Sequence, residues 1–103
     1  MVATRIIQMI AHTYGYEAQS RQCIEEMEEL TQAINKYWRK ALKSGKVPTK
    51  IGYMPKVSKE YENLVEELAD VQIMIWQMKY LLGADVLTVM EKKLKSQLER
   101  IIR

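Results

Sequence analysis

The stretch Glu66-Glu67-Leu68-Ala69-Asp70-Val71-Gln72-Ile73-Met74-Ile75-Trp76 decides how this chain folds. Its second half is almost wholly apolar and carries no Gly or Pro, which predicts a buried helix. The carboxylates lie on that same helix. At about 100° per residue, Glu67 shares a face with Val71, Met74 and Met78, and Asp70 shares one with Met74, Gln77 and Leu81. Two acids one turn apart therefore point where apolar side chains point. An ionised carboxylate buried without a partner is costly, or its pKa moves upward. A positive group is expected beside them.

Outward from this stretch the pattern stays helical. Ser58 is placed to cap the helix, Glu60 and Glu62 favour its first turns, and Gly83 ends it after Leu82. Asp85 can cap a further helix with Leu87, Met90, Leu94, Leu98 and Ile101 on one stripe. Upstream, residues 3–13 read as a short helix closed at Gly15. Residues 17–42 read as a long one, with Ile24, Met27, Thr31, Ile34, Trp38 and Ala41 three and four apart, widened by Leu30 and Tyr37. Gly45, Pro48, Gly52 and Pro55 make residues 44–57 a loop. No strand, repeat or second domain is predicted. The expected fold is all-α: one domain over residues 1–103, four helices, bundle-like, with the two longest antiparallel across the loop.

A helix over residues 17–42 would be about 40 Å long at 1.5 Å per residue. A compact domain of this size has a radius of gyration near 13 Å. One chain can hardly cover such a helix or the nearly all-round apolar one that follows. A homodimer or a dimer of dimers is expected.

Composition narrows the function. Hydrophobic residues make up 48% of the 103 residues, enough for a core. The single cysteine, Cys23, excludes an internal disulfide, suits a reducing compartment and is read as a small apolar residue. No apolar run reaches the length of a membrane span. A soluble cytoplasmic protein is expected. The net charge of +3 is too small to argue for nucleic acid on its own, and nucleic acid is not expected as a partner.

Glu26 and Glu29 lie one turn apart on the long helix, as Glu67 and Asp70 do on the next. Placed side by side, the two helices bring four carboxylates together. Hard divalent cations such as Mg²⁺ take a few carboxylates, keep waters and share substrate phosphates. For Glu26 and Glu29 alone, a solvated acidic face paired with Lys or Arg is the simpler reading. The apolar setting of Glu67 and Asp70 tips the balance toward a metal. A di-iron bundle needs Glu-x-x-His on two helices. The sole histidine, His12, has no Glu three residues before it. Di-iron and zinc sites are therefore unsupported, and His12 reads as a surface or interface residue.

Glu25-Glu26-Met27-Glu28-Glu29-Leu30, an insertion, and then Glu66-Glu67-Leu68-Ala69-Asp70-Val71 resemble the signature of the MazG-like all-α nucleoside triphosphate pyrophosphohydrolases. That superfamily also holds dimeric dUTP pyrophosphatases, dCTP pyrophosphatases and phosphoribosyl-ATP pyrophosphohydrolase. Its pattern, Glu-x-x-Glu, a spacer and Glu-x-x-Asp, falls on Glu26, Glu29, Glu67 and Asp70. Tyr14-Gly15 and Gln19 ahead of the first motif, and residues 81–85 after the second, agree with it. The resemblance implies Mg²⁺- or Mn²⁺-dependent hydrolysis of a nucleoside triphosphate to the monophosphate and pyrophosphate. In it Glu26, Glu29, Glu67 and Asp70 hold the metal, and Glu26 or Glu29 orients or deprotonates the attacking water. It also implies phosphate contacts from the last helix, at Lys93 and Arg100 or at Lys92 and Lys95, and a substrate-side role for Gln19.

The region from Lys36 to Lys59 carries basic residues and no acid, and reads as a lid over the phosphates or as a solvated loop. Trp38 and Trp76 read as core or dimer packing rather than base stacking. The alternatives are a non-enzymatic partner-binding bundle, a nucleic-acid binder using the basic loop, and phosphoribosyl-ATP pyrophosphohydrolase within the same superfamily.

Overall fold

The computed structural model describes residues 2–43 and 58–102. The predicted loop and lid at 44–57 lie outside the described residues. The chain is all-helical: α1 spans Val2–Lys43, α2 Lys59–Leu82 and α3 Val86–Ile101. There are three helices among the described residues rather than the four expected. The two helices foreseen before the loop run on as α1, with a kink where the break was placed. Gly15 sits at φ 80°, ψ 172°, a backbone conformation open essentially to glycine alone. It acts as a hinge inside α1, not as a C-cap.

The expected caps of α2 and α3 form. Ser58 Oγ accepts from the Tyr61 N–H at 3.0 Å. Gly83, in the left-handed region at φ 61°, closes α2. Asp85 Oδ1 accepts from the Thr88 N–H, and its other oxygen accepts from the Thr88 hydroxyl at 2.7 Å. These two bonds hold the Asp85 carboxyl below the usual aspartate range.

α1 and α2 pack against each other antiparallel: His12 meets Tyr80, Gln19 meets Gln77, and Tyr37 meets Tyr61. The α1 side of the seam is Ile7, Ala11, Cys23, Ala33, Tyr37 and Ala41, with Gln19 among them. The α2 side is Val71, Met74 and Gln77. Small residues at Ala11, Ala33 and Ala41 let the helices approach. At the seam's centre Gln19 Nε2 donates to Gln77 Oε1 at 2.7 Å, and Gln77 is 2% exposed. Removing one amide would strand the other, at about 1–3 kcal/mol.

Of the expected apolar stripe of α1, only its C-terminal end is buried here, at Ala41 and the flanking Tyr37. Ile24, Met27, Ile34 and Trp38 are exposed, Trp38 by 45%. α2 likewise buries one face and leaves Leu68, Ile73, Ile75 and Trp76 open, against the expectation of a helix buried all round. Neither tryptophan is in the core of the single chain. α3 leaves α2 at a bend of 119°, forms no packing interface with α1 or α2 among the described residues, and buries none of its own. Among the described residues no bundle closes within one chain. The radius of gyration is 17.0 Å, well above the value near 13 Å for a compact domain of this length. Among the described residues, no single helix is long and apolar enough to cross a membrane.

A Cβ added at Gly15 meets nothing within 4 Å, so its cost is confined to the backbone. Gly15→Ala is expected to lower the unfolding free energy by about 1–3 kcal/mol in urea titration. An unchanged midpoint would show that the hinge is unstrained.

Candidate functional site

The antiparallel seam carries the acids of both helices to one place. One carboxylate oxygen each from Glu26, Glu67 and Asp70 lies within 4.8 Å of the others. Glu26 and Glu67 are half-buried and Asp70 is exposed, so the group opens at the edge of the seam. Glu67 is drawn inward because it shares its face with the buried Val71 and Met74.

Hydrogen bonding satisfies this group only in part. Gln22 Nε2 donates to Glu26 Oε1 at 2.9 Å, one turn before it on α1. The other oxygen, Glu26 Oε2, is buried with no hydrogen-bond partner among the described residues, and so is Glu67 Oε2. None of these acids is in an ion pair with a described residue. Burial raises the Glu26 pKa above the usual glutamate range, the Gln22 bond opposes that, and the charges of Glu29 and Asp70 add to the rise. Like-charged oxygens facing each other across a partly dry seam, two of them orphaned, are the donor set a hard divalent cation takes. Glu26, Glu67 and Asp70 are the residues that could hold such an ion.

Three of the four expected ligands are brought together. Glu29 is exposed, outside the three-oxygen group, yet close enough for its charge to act on Glu26. Gln19, expected near substrate, is buried and bonded to Gln77. Lys93 and Arg100 line a shallow groove on α3 with Lys92, Ser96 and Gln97. Since α3 does not pack on the seam, one chain does not carry them to the acids. His12 is exposed, with its ring edge-on to Tyr80 at 5.5 Å between centroids. Cys23 is buried, as a small apolar residue would be.

Two participants were not foreseen. Gln22 stands four residues before Glu26, a spacing at which amide and carboxylate meet on a helix. Gln77 interrupts the apolar stripe of α2 three residues after Met74, and a polar residue there signals a buried partner.

No protein-family model matches the chain, and no curated protein or solved structure matches it.

Because the Glu26 pKa is raised, folding loses stability as pH climbs from the ordinary glutamate range through the raised value, where the folded chain must ionise a desolvated carboxyl beside the charges of Glu29 and Asp70. In chelator, wild type is therefore expected to melt progressively below Glu26→Gln as pH rises above the ordinary glutamate range, the two converging at the acid end. Saturating Mg²⁺ or Mn²⁺ should raise the wild-type midpoint at pH 7 and leave the variant's nearly unmoved. Parallel curves in chelator, or equal shifts with cation, would rule out uncompensated repulsion at this site.

Proposed function

We propose that this chain is a divalent-cation-dependent nucleoside triphosphate pyrophosphohydrolase of the MazG-like all-α kind, releasing the monophosphate and pyrophosphate in the cytoplasm. The observation that carries the reading is the convergence of Glu26, Glu67 and Asp70, with two buried oxygens left unpartnered. A triphosphate is itself polyanionic, so these carboxylates cannot bind it directly. Glu26, Glu67 and Asp70 would hold Mg²⁺ or Mn²⁺, which would supply charge neutralisation and polarisation of the attacked phosphate.

The chain's own residues then have separate tasks. Glu26, Glu67 and Asp70 hold the cation. Glu29, outside the three-oxygen group, is the carboxylate left to accept a hydrogen bond, and then a proton, from the attacking water. Gln22 fixes one oxygen of Glu26 and so sets which oxygen faces the site. Lys93 and Arg100 remain the candidates for the outer phosphates, supplied by α3 of a second copy.

The second copy is part of the proposal. Ile24, Met27, Ile34 and Trp38 form one open apolar face on α1, and Leu87, Leu94 and Leu98 form another on α3. A homodimer, or a dimer of dimers, would cover both. Those faces alone would equally suit a non-enzymatic partner-binding bundle. The carboxylate cluster favours the enzyme, since such a bundle has no use for orphaned acids on its seam.

Assayed on a panel of canonical and modified nucleoside triphosphates and phosphoribosyl-ATP with Mg²⁺, the protein is expected to yield monophosphate and pyrophosphate. Glu29→Gln should lower kcat by about 10²- to 10⁴-fold, the range for a lost general base. Turnover surviving in Glu29→Gln and Glu67→Gln, or diphosphate plus phosphate as products, would defeat the reading. Sedimentation at low micromolar concentration is expected to give a dimer or tetramer, and a clean 12.1 kDa species would contradict the assembly.

A further inference from the structure

A second charged feature lies on the same seam. Lys36, Arg39, Lys40 and Lys43 of α1 line one groove with Glu60 of α2. None of the four cations is in an ion pair with a described residue, and neither is Glu60. Offsetting the negative end of the α1 dipole accounts for Lys40 and Lys43 in the last turn. It does not account for Lys36 and Arg39 a turn earlier, nor for four unpaired cations sharing one groove. The chain's modest net charge conceals this segregation of acids and bases along one helix.

The position of the groove relative to the acids is fixed on both helices. Lys36 follows Glu29 by seven residues on α1, and Glu60 precedes Glu67 by seven on α2. Seven residues are two turns, so each pair shares a face. Because the helices are antiparallel, both steps run the same way along the seam. Measured from the clustered acids, the groove begins about 10 Å beyond Glu67 on α2, and its first cation stands about 15 Å beyond Glu26 on α1; its cations extend over about a further 10 Å. Lys36 can reach back toward a triphosphate held at the acids. Lys40 and Lys43, one and two turns further on, lie beyond its length.

Resting on the pyrophosphohydrolase reading, we propose that the substrate is a single-stranded nucleic acid bearing a 5′-triphosphate. Its triphosphate end sits at Glu26, Glu67 and Asp70, and its first backbone phosphates lie on Lys36, Arg39, Lys40 and Lys43. The cations extend over about 10 Å, the span of a few successive phosphates of a single strand. The reaction consumes one water. Its oxygen joins one of the two phosphorus atoms flanking the α–β bridge as the bond from that phosphorus to the bridging oxygen breaks. The products are the 5′-monophosphate strand and pyrophosphate, with the water's protons passing to the products and the solvent.

The test compares kcat/KM for 5′-triphosphorylated ten-nucleotide RNA and DNA with that for the matching free nucleoside triphosphate, at low and high salt. At low salt the strand is expected to be favoured at least about tenfold, and the preference should shrink steeply as salt rises. Lys40→Glu/Lys43→Glu, at two exposed positions, should bring the ratio to about one. The salt series on wild type decides the matter even if that variant folds poorly. Equal efficiencies on strand and free nucleotide, or a ratio indifferent to salt and to charge reversal, overturn the strand assignment and leave the pyrophosphohydrolase reading standing. Hydrolysis of neither substrate overturns both.

Discussion

Like charge held across a helix seam is the constraint on which the rest depends. α1 and α2 meet along a line of small and apolar side chains, and into that line the chain puts Glu26 from one side and Glu67 from the other. A purely structural seam would place alanine or leucine there. A half-buried carboxylate with no lysine or arginine beside it costs stability when ionised: burial first, and then the charges of Glu29 and Asp70, push the Glu26 pKa up. Such an arrangement is favourable once a cation of higher charge density joins it. Helix packing and candidate chemistry are thus coupled: whatever aligns α1 on α2 also sets the spacing of the oxygens.

That alignment comes from a few residues. Ala11, Ala33 and Ala41 allow close approach, and the Gln19–Gln77 amide pair penalises any slip that would strand a buried carboxamide. Gly15 turns the N-terminal limb of α1 so that Ile7 and Ala11 stay on the seam beyond the kink. Making one face of α1 narrow and partly polar leaves its bulky face, with Ile24, Met27, Ile34 and Trp38, outside. α3 is amphipathic with nothing of its own chain beneath it. Among the described residues these two faces stay uncovered, and the assembly proposed above would cover them.

Much of this was legible in the sequence, for identifiable reasons. The caps at Ser58, Gly83 and Asp85 are local chemistry and fall where expected. The break at Gly15 was visible as a break, but one glycine between two helical patterns does not say whether the helix ends or bends. The meeting of Glu26, Glu67 and Asp70 followed from spacing plus an antiparallel pair. The burial of α1 did not follow, because periodicity reports the most apolar face and not which partner covers it. Here the partner within the chain takes the alanine face. Glu29 illustrates the same limit: one turn from Glu26, it is exposed and outside the three-oxygen group, although its side chain still acts on Glu26. Gln19 was noticed for its place before the first motif, whereas its neighbour Gln77 assigns it to the seam.

The most direct test of the central claim is a count of bound cations. Mn²⁺ titrated into the protein and followed by electron paramagnetic resonance is expected to show saturable binding. That binding should be lost in Glu67→Gln and competed away by Mg²⁺. No saturable binding, or binding undiminished in Glu67→Gln, would mean that the carboxylates on the α1–α2 seam do not form a cation site.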